Sequence, residues 1–410
     1  MVPAALPQDH GRTANGLGQR RPQQRWPALD GLRGIAVLLV VFYHFHAPGP
    51  GLLHLRGGWA GVDVFFVLSG FLITGLLLRE HDRTGRVSLG AFYRRRFWRL
   101  VPALLLLVLG WEVASTFLSW PGQTVVYTAG ARARDLLMLS SMGLNWWGIA
   151  GAPVPPGFGA LWSLAVEDQF YLLWAPVVAL LCLVRARAQR TRLILMIAAG
   201  GAAISAVECF ALYPTHHDQV RIYFATDTRA QGLLIGAVAA VLWEQHKVLP
   251  EHMSRVLAVA GAFAIALVGV FIDDASPWRV EGSFTLLALA TLFVVSHVVN
   301  YEQSRFAHAL SWRPLRWTGR RSYAIYLWHA PIATYMYSLP GSTSSSRFGW
   351  PAYFGGIALA LVMAEVSWRL VERRCFDHAH AHAPRAGGTA QRQFPAPGGT
   401  VGGGLPRAPA

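Results

Sequence analysis

Two ionisable side chains, Arg33 and His44, lie inside the first long apolar segment, LDGLRGIAVLLVVFYHF. Eleven residues at about 100° each make three helical turns plus about 20°, so both project from one helix face, about 16 Å apart along its axis. An imidazole, with an ordinary pKa of about 6.5, can remove a proton from a hydroxyl, and a guanidinium binds phosphate. The spacing indicates a base and an anion site at opposite ends of one helix. The alternative is that Arg33 reaches the headgroups and His44 lies at the outer interface.

Two carboxylates lie inside later apolar segments. Asp63 belongs to GVDVFFVLSGFLIT and Glu167 to WSLAVEDQFYLLW. A carboxylate in a bilayer costs about 2.5 to 3.5 kcal/mol to insert, so each is expected to face the protein interior. We predict that both lie at the level of His44 and that one orients its imidazole, although the sequence does not choose between them. The alternative for each is capping of a helix N-terminus.

A run of arginines precedes the third apolar segment, in AFYRRRFWRLVP. Arg96 and Arg99 share a helix face by their i,i+3 spacing and are predicted to lie at the same level as Arg33. Three guanidiniums at one end of the protein suit a ligand that carries several phosphates. Ordinary topology signalling is the alternative for such a run.

The elements that must position these groups are membrane helices. Of 410 residues 53% are hydrophobic and 14% are charged, whereas a soluble chain carries about 25% charge. The composition predicts an all-α polytopic membrane protein, with a weaker run at 136–147 that is interfacial or re-entrant. Ten apolar windows are long enough to span: about 30–46, 58–78, 100–119, 161–184, 193–212, 229–245, 254–272, 282–299, 321–339 and 351–370.

The basic residues predict the orientation in the membrane. With the N-terminus inside, 26 Arg and Lys residues fall on inner segments and 7 on outer ones, which obeys the positive-inside rule with both termini in the cytoplasm. The net charge of +15 is explained by this distribution, so nucleic acid is not predicted as a partner. We expect disordered tails at 1–28 and 375–410 around a membrane domain at 29–374 in the cell membrane, without a cleaved signal peptide. Three scattered cysteines predict neither a disulfide framework nor a metal site.

These motifs together resemble the acyltransferase-3 family of integral membrane O-acyltransferases, over about residues 28–375. The resemblance rests on Arg33 and His44 with ten residues between them, GVDVFFVLSGFLIT at 61–74, the arginine and proline run at 95–102, and SLAVEDQFYLLW at 163–174. Weaker matches are TDTRAQGLLIGA at 226–237 and SYAIYLWHAPI at 322–332.

The resemblance implies transfer of an acyl group from cytoplasmic acyl-CoA, most simply acetyl-CoA, to a hydroxyl of a sugar-containing acceptor. It implies that His44 is the catalytic base and that Arg33, Arg96 and Arg99 bind the donor, with no permanently bound cofactor or metal. The acceptor is an envelope glycan, a glycolipid or a secreted natural product such as a macrolide.

Six further residues are candidates for acceptor binding. Asp227 and Arg229 either read acceptor hydroxyls or pair with each other, and Tyr326 and His329 either bind the acceptor or pack between helices. The other two, Trp162 and Ser163, open the fourth apolar segment. The main alternative function is a secondary transporter of a polar or anionic solute, for which buried Arg, His and Asp are also expected.

Overall fold

The computed structural model describes residues 26–47, 55–117, 129–216, 219–274, 276–338 and 349–375, and within these ranges every regular element is a helix. Apart from their innermost residues, the predicted tails lie outside the described residues. A 3-10 turn, Gly159–Leu161, precedes the sixth helix, and a π-helical turn, Trp368–Glu372, follows the last. The helices are α1 (Pro27–Phe45), α2 (Ala60–Thr84), α3 (Leu89–Phe117), α4 (Ala129–Ser140), α5 (Leu144–Ile149), α6 (Trp162–Leu181), α7 (Arg187–His216), α8 (Gln219–Phe224), α9 (Thr226–Glu244), α10 (Glu251–Phe271), α11 (Trp278–Glu281), α12 (Ser283–Asn300), α13 (Arg305–Leu310), α14 (Arg313–Arg320), α15 (Ser322–Ser338) and α16 (Gly349–Ser367).

Eight segments of the described chain are long and apolar enough to cross a membrane: α1, α2, α3, α6, α7, α10, α12 and α16, some with their adjoining turns. They coincide with eight of the ten predicted spans, and the predicted class, an all-α polytopic membrane protein, is confirmed. The other two windows correspond to α9, whose first two turns read TDTRAQG, and to α15, which has 17 residues. Both of these helices pack against several others.

The spanning helices differ greatly in burial. Within the most apolar part of each helix, 78% of α2 is buried inside the protein but only 17% of α3. Leu105, Leu109 and Val113 of α3 are all more than half exposed. Because lipid is the solvent at this depth, α2 forms the centre of the bundle and α3 part of its lipid-facing surface.

A close helix crossing joins α2 to α9. A Cβ atom on Gly70 would lie 1.8 Å from the carbonyl oxygen of Leu233, and one on Gly236 would lie 2.1 Å from that of Val67. Only glycine permits this approach of two backbones. The crossing fixes the register between Asp63, two turns before Gly70, and Arg229, two turns before Gly236.

The weak apolar run predicted at 136–147 falls on two short helices. Helix α4 has 12 residues and α5 has six, and Met142 between them adopts a left-handed φ of 52°. Neither helix is long enough to span a bilayer. Helix α5 places Leu144 and Asn145 inside the protein, both almost fully buried.

Candidate active site

A cavity of about 570 Å³ opens beside His44, at the C-terminal end of α1. Its volume is typical of sites for small molecules. Its walls come from α1, α2, α5, α6, α8, α11 and α15 and from the segments before α2 and α6. Most of the lining is apolar, and the aromatic side chains in it are Tyr43, Trp59, Trp162, Tyr223, Phe224 and Tyr326.

The imidazole of His44 is oriented by its own helix. Its Nδ1 atom lies 2.9 Å from the carbonyl oxygen of Val40, one turn earlier. Because a carbonyl oxygen can only accept a hydrogen bond, Nδ1 carries the proton, and Nε2 of the neutral ring has a free lone pair. This corrects the expectation that a carboxylate orients His44, since the polar partners of Asp63 and Glu167 lie elsewhere.

Asp63 forms a buried ion pair with Arg229. Its Oδ1 lies 2.9 Å from Nη2 of Arg229, and the two side chains are 3% and 0% exposed. The guanidinium packs over the ring of Phe284, with 3.6 Å between Cζ and the ring centroid. Arg229 therefore lies behind the cavity wall, which corrects its assignment to direct acceptor binding. For Asp63 the corrected prediction is the other one, that it orients the imidazole of His44, because its partner is Arg229 of α9.

Asp227 does not pair with Arg229, and it is absent from the described lining of the cavity. Its two carboxylate oxygens accept hydrogen bonds from Arg221 at 2.8 and 2.6 Å. The predicted pairing of Asp227 with Arg229 is therefore wrong. Helix α8 ends three residues before Asp227, and this short connection brings Arg221 within reach.

Glu167 lies towards the other end of the bundle. It accepts hydrogen bonds from Ser69 Oγ at 3.1 Å and from the Tyr171 hydroxyl at 2.7 Å. It is also within electrostatic range of Arg33 and Arg96. The prediction that Glu167 lies level with His44 is wrong, because Glu167 is one full turn deeper along α6 than the cavity.

The candidates on α6 and α15 lie at or directly behind the cavity. Trp162 and Tyr326 line it, and the Ser163 and Tyr326 hydroxyls are 2.6 Å apart. His329 is fully buried, with its ring edge to face against His44 at a centroid separation of 4.9 Å. Its Nδ1 lies 2.6 Å from the Tyr326 carbonyl oxygen, and its Nε2 has no partner within the described chain. The structure thus places His329 next to the imidazole of His44.

Three arginines converge at the N-terminal end of α1. Arg33, Arg96 and Arg99 lie within electrostatic range of one another. Arg33 is 3.8 Å from the carboxylate of Asp30, and the Arg96 guanidinium covers the ring of Tyr171 at 3.7 Å. The buried Nε of Arg96 has no hydrogen-bond partner in the part of the chain that is described. The carboxylates of Glu167, Asp168 and Glu372 also lie within electrostatic range of these arginines. What the cluster offers an anion is therefore the unpartnered Nε of Arg96 rather than a large excess of positive charge.

One face of α6 connects the two ends. Ser163, Glu167 and Tyr171 follow one another at i,i+4 spacing, so their side chains form a polar row about 12 Å long. Ser163 contacts Tyr326 at the cavity, and the ring of Tyr171 packs against the Arg96 guanidinium at the far end. The row runs from the cavity to the arginine cluster.

Sequence reasoning missed a second group at the cavity. Arg279 lines it and packs over the ring of Tyr223, with 3.8 Å between Cζ and the ring centroid. Asp274 accepts a hydrogen bond from the Tyr43 hydroxyl and pairs with Arg279 at 3.5 Å. Burial raises the pKa of the Tyr223 phenol, so this ring stays neutral. In the sequence Arg279 is one of the seven basic residues on outer segments, and its surroundings match none of the motifs.

A membrane-embedded helical bundle with a histidine at a cavity and an arginine cluster at the opposite end defines the class of protein. The chain belongs to the acyltransferase-3 family, since the family model, described as an acyltransferase domain, matches residues 26–367. The resemblance inferred from the motifs is thereby confirmed.

Several bacterial proteins are similar to this chain. The peptidoglycan O-acetyltransferase OatA of Listeria monocytogenes is 33% identical over 84% of the chain and 55% of its own length. The O-acetyltransferase OatA of Staphylococcus aureus strain NCTC 8325 is 35% identical over 84% of the chain and 56% of its own length. A putative O-acetyltransferase of S. aureus strain MSSA476 is 33% identical over 87% of the chain and 58% of its own length. The chain thus spans little more than half of these relatives. No solved structure matches it.

Proposed function

We propose that this protein is a membrane O-acetyltransferase that moves an acetyl group from acetyl-CoA to a hydroxyl of a sugar-containing acceptor. The observation that carries the proposal is the position of His44, which lines a substrate-sized cavity with a free Nε2 lone pair, on the same helix as Arg33. The similar proteins named as O-acetyltransferases support the type of reaction.

The chemistry assigned to His44 is general base and then general acid catalysis. Nε2 takes the proton of the acceptor hydroxyl as its oxygen attacks the thioester carbonyl carbon. The tetrahedral intermediate collapses with cleavage of the C–S bond, and the imidazolium gives the same proton to the departing sulfur. The products are the acetyl ester and CoA thiol, and His44 returns to its starting state. Since the Val40 carbonyl holds Nδ1, the ring keeps the same tautomer throughout.

The donor is assigned to the arginine end. Arg33, Arg96 and Arg99 supply the positive charge and Arg96 Nε supplies a free donor for the phosphates of CoA. From there the pantetheine arm follows the polar row of α6 towards the cavity and brings the thioester to His44. With the cytoplasmic N-terminus predicted by the basic residues, the donor enters from the cytoplasm and the acceptor from outside the cell membrane.

The acceptor is assigned to the cavity beside His44. Its aromatic walls offer flat apolar faces for sugar rings, with Tyr326 and Trp162 at the Ser163 end of the polar row of α6. The Listeria relative is named as a peptidoglycan O-acetyltransferase. Among the predicted acceptors, this name favours a glycan of the cell envelope.

The test uses the purified full chain in lipid nanodiscs with radiolabelled acetyl-CoA and cell-wall saccharides. We expect transfer of label to saccharide together with release of CoA thiol, neither of which a transporter would show. His44→Ala should lower turnover by about 10² to 10⁴-fold and leave CoA binding close to wild type. Arg33→Ala should instead weaken CoA binding.

Matched controls are His308→Ala and Arg320→Ala, because both side chains are exposed and lie outside the described lining of the cavity. They should behave like the wild type. Loss of CoA binding in His44→Ala as severe as that in Arg33→Ala, with full activity in Arg33→Ala, would overturn the assignment of roles.

A further inference from the structure

Arg279 is the one residue with a formal charge among the described residues that line the cavity. Its side chain is 14% exposed. The carboxylate nearest to it, Asp274, is not part of this lining. The cavity beside His44 therefore presents a single guanidinium within mostly apolar and aromatic walls.

The guanidinium of Arg279 is held on one edge and free on another. Nη1 lies 3.2 Å from the Asp274 carbonyl oxygen and 3.5 Å from its carboxylate. The buried Nε has no hydrogen-bond partner among the residues that the structure describes. The Tyr223 ring beneath the group keeps its plane fixed. A planar guanidinium held in this way can receive a second carboxylate along its Nε edge.

Arg279 is also tied to the catalytic helix. Asp274, which pairs with Arg279, accepts a hydrogen bond from the hydroxyl of Tyr43. Tyr43 precedes His44 directly, and the rings of these two residues meet at a centroid separation of 4.9 Å. The distance from the guanidinium to the proposed base is therefore fixed through two contacts.

We infer that Arg279 determines acceptor specificity by binding a carboxylate on the sugar, so that the acceptor is an acidic glycan. This inference rests on the proposed function and adds the chemical class of its acceptor. The aromatic walls bind the sugar rings, Arg279 binds the carboxylate, and the reacting hydroxyl is thereby brought to Nε2 of His44. A neutral acceptor would leave the buried Nε of Arg279 without a hydrogen-bond partner, which is unfavourable.

The experiment compares a disaccharide that ends in glucuronic acid with its methyl ester, which has the same hydroxyls and no charge. Both are used as acceptors with acetyl-CoA, and the binding of both is measured without a donor by calorimetry on the full chain in nanodiscs. The wild type should prefer the acid by at least about tenfold in kcat/KM and in Kd, because a charge-assisted hydrogen bond is lost with the ester. Arg279→Gln should abolish this preference, and Arg279→Lys should retain part of it.

Arg56→Gln provides the matched control, since it removes one exposed positive charge near the same end of the bundle and should keep the preference of the wild type. Equal binding of acid and ester by the wild type, or an unchanged preference in Arg279→Gln, would overturn the inference. Both outcomes are distinct from failure of the proposed function, which is an absence of acetyl transfer to any acceptor. In that case the calorimetric comparison still decides whether Arg279 binds a carboxylate.

Discussion

Asp63 and Arg229 are joined across the α2–α9 crossing by an ion pair of 2.9 Å from which solvent is excluded. The guanidinium is surrounded by aromatic rings, of which Trp162 and Tyr223 also line the cavity. The pair therefore supports the cavity wall from behind, and the shape of the cavity depends on two charges that do not line it.

Removal of one member of this pair should be more harmful than removal of both. Asp63→Asn or Arg229→Met leaves an uncompensated buried group, and we expect a loss of about 3 to 5 kcal/mol in stability. The double variant Asp63→Leu with Arg229→Met should recover most of that loss. Thermal unfolding of the detergent-solubilised protein measures the three variants.

The control for this series is Arg187→Met, because Arg187 pairs with Asp82 at 3.5 Å with 70% of its side chain exposed. An exposed pair contributes at most about 1 kcal/mol. A double variant as unstable as the sum of the two single variants would show that the charges are not coupled.

Replacement of Glu167 should leave the pH profile of catalysis in place. His44 must be neutral to act as a base, so activity falls as the pH drops and the imidazole becomes protonated. A carboxylate bound to the ring would favour the imidazolium, and its removal would move the acid limb to lower pH. Glu167 accepts its hydrogen bonds from Ser69 and Tyr171 and is therefore not the group that orients His44. Glu167→Gln should accordingly leave the acid limb of the kcat profile unchanged.

The measurement is kcat between pH 5 and 9 for the wild type and the variant. A displacement of the acid limb by about one pH unit or more would mean that Glu167 acts on His44 directly. In that case the hydrogen bond to Val40 would not be what orients the ring.

The ring of Tyr171 should matter for donor binding through its contact with Arg96. A stacked guanidinium contributes about 0.5 to 2 kcal/mol, so Tyr171→Ala should raise the KM for acetyl-CoA several-fold with a smaller change in kcat. Tyr171→Phe keeps the ring and should stay near the wild type. If Tyr171→Phe weakens donor binding as much as Tyr171→Ala, the effect comes from loss of the hydroxyl, which donates a hydrogen bond to Glu167. The stacking prediction would then be wrong.

Gly70→Ala should destabilise the bundle, because its Cβ would lie 1.8 Å from a backbone oxygen of α9 that cannot rotate away. Separation of the two helices would cost about 1 to 3 kcal/mol or more and would strain the ion pair of Asp63. The control is Gly200→Ala in α7, where an added Cβ meets nothing within 4 Å and alanine favours the helix. Thermal midpoints that fall equally in both variants would contradict the importance of this crossing.

The sequence predicted what depends on local pattern. Hydropathy windows identified the spanning helices, and helical periodicity placed Arg33 and His44 on the single helix α1. The i,i+3 spacing of Arg96 and Arg99 likewise anticipated their proximity, and the structure brings both near Arg33.

The pairing of charges between helices could not be read in the same way. Asp63 and Glu167 both occupy polar positions early in their segments, and depth alone put them level with His44. Their actual partners depend on which helix lies beside which, and α9 supplied Arg229 because glycines allow it to approach α2. The carbonyl of Val40 has no sequence signal at all, because every residue carries one.

The continuity of α1 between Arg33 and His44 has a consequence for the choice of donor. A helix without an interruption cannot shorten, so the gap between the arginine and the imidazole is the same in every encounter. Acetyl phosphate, in which phosphorus and acyl carbon share one oxygen, is far too small to touch both residues at once. If the donor contacts both residues, as proposed, it must carry its charged and reactive groups on opposite ends of a long, slender arm, and the rigid helix would then select its substrate by length.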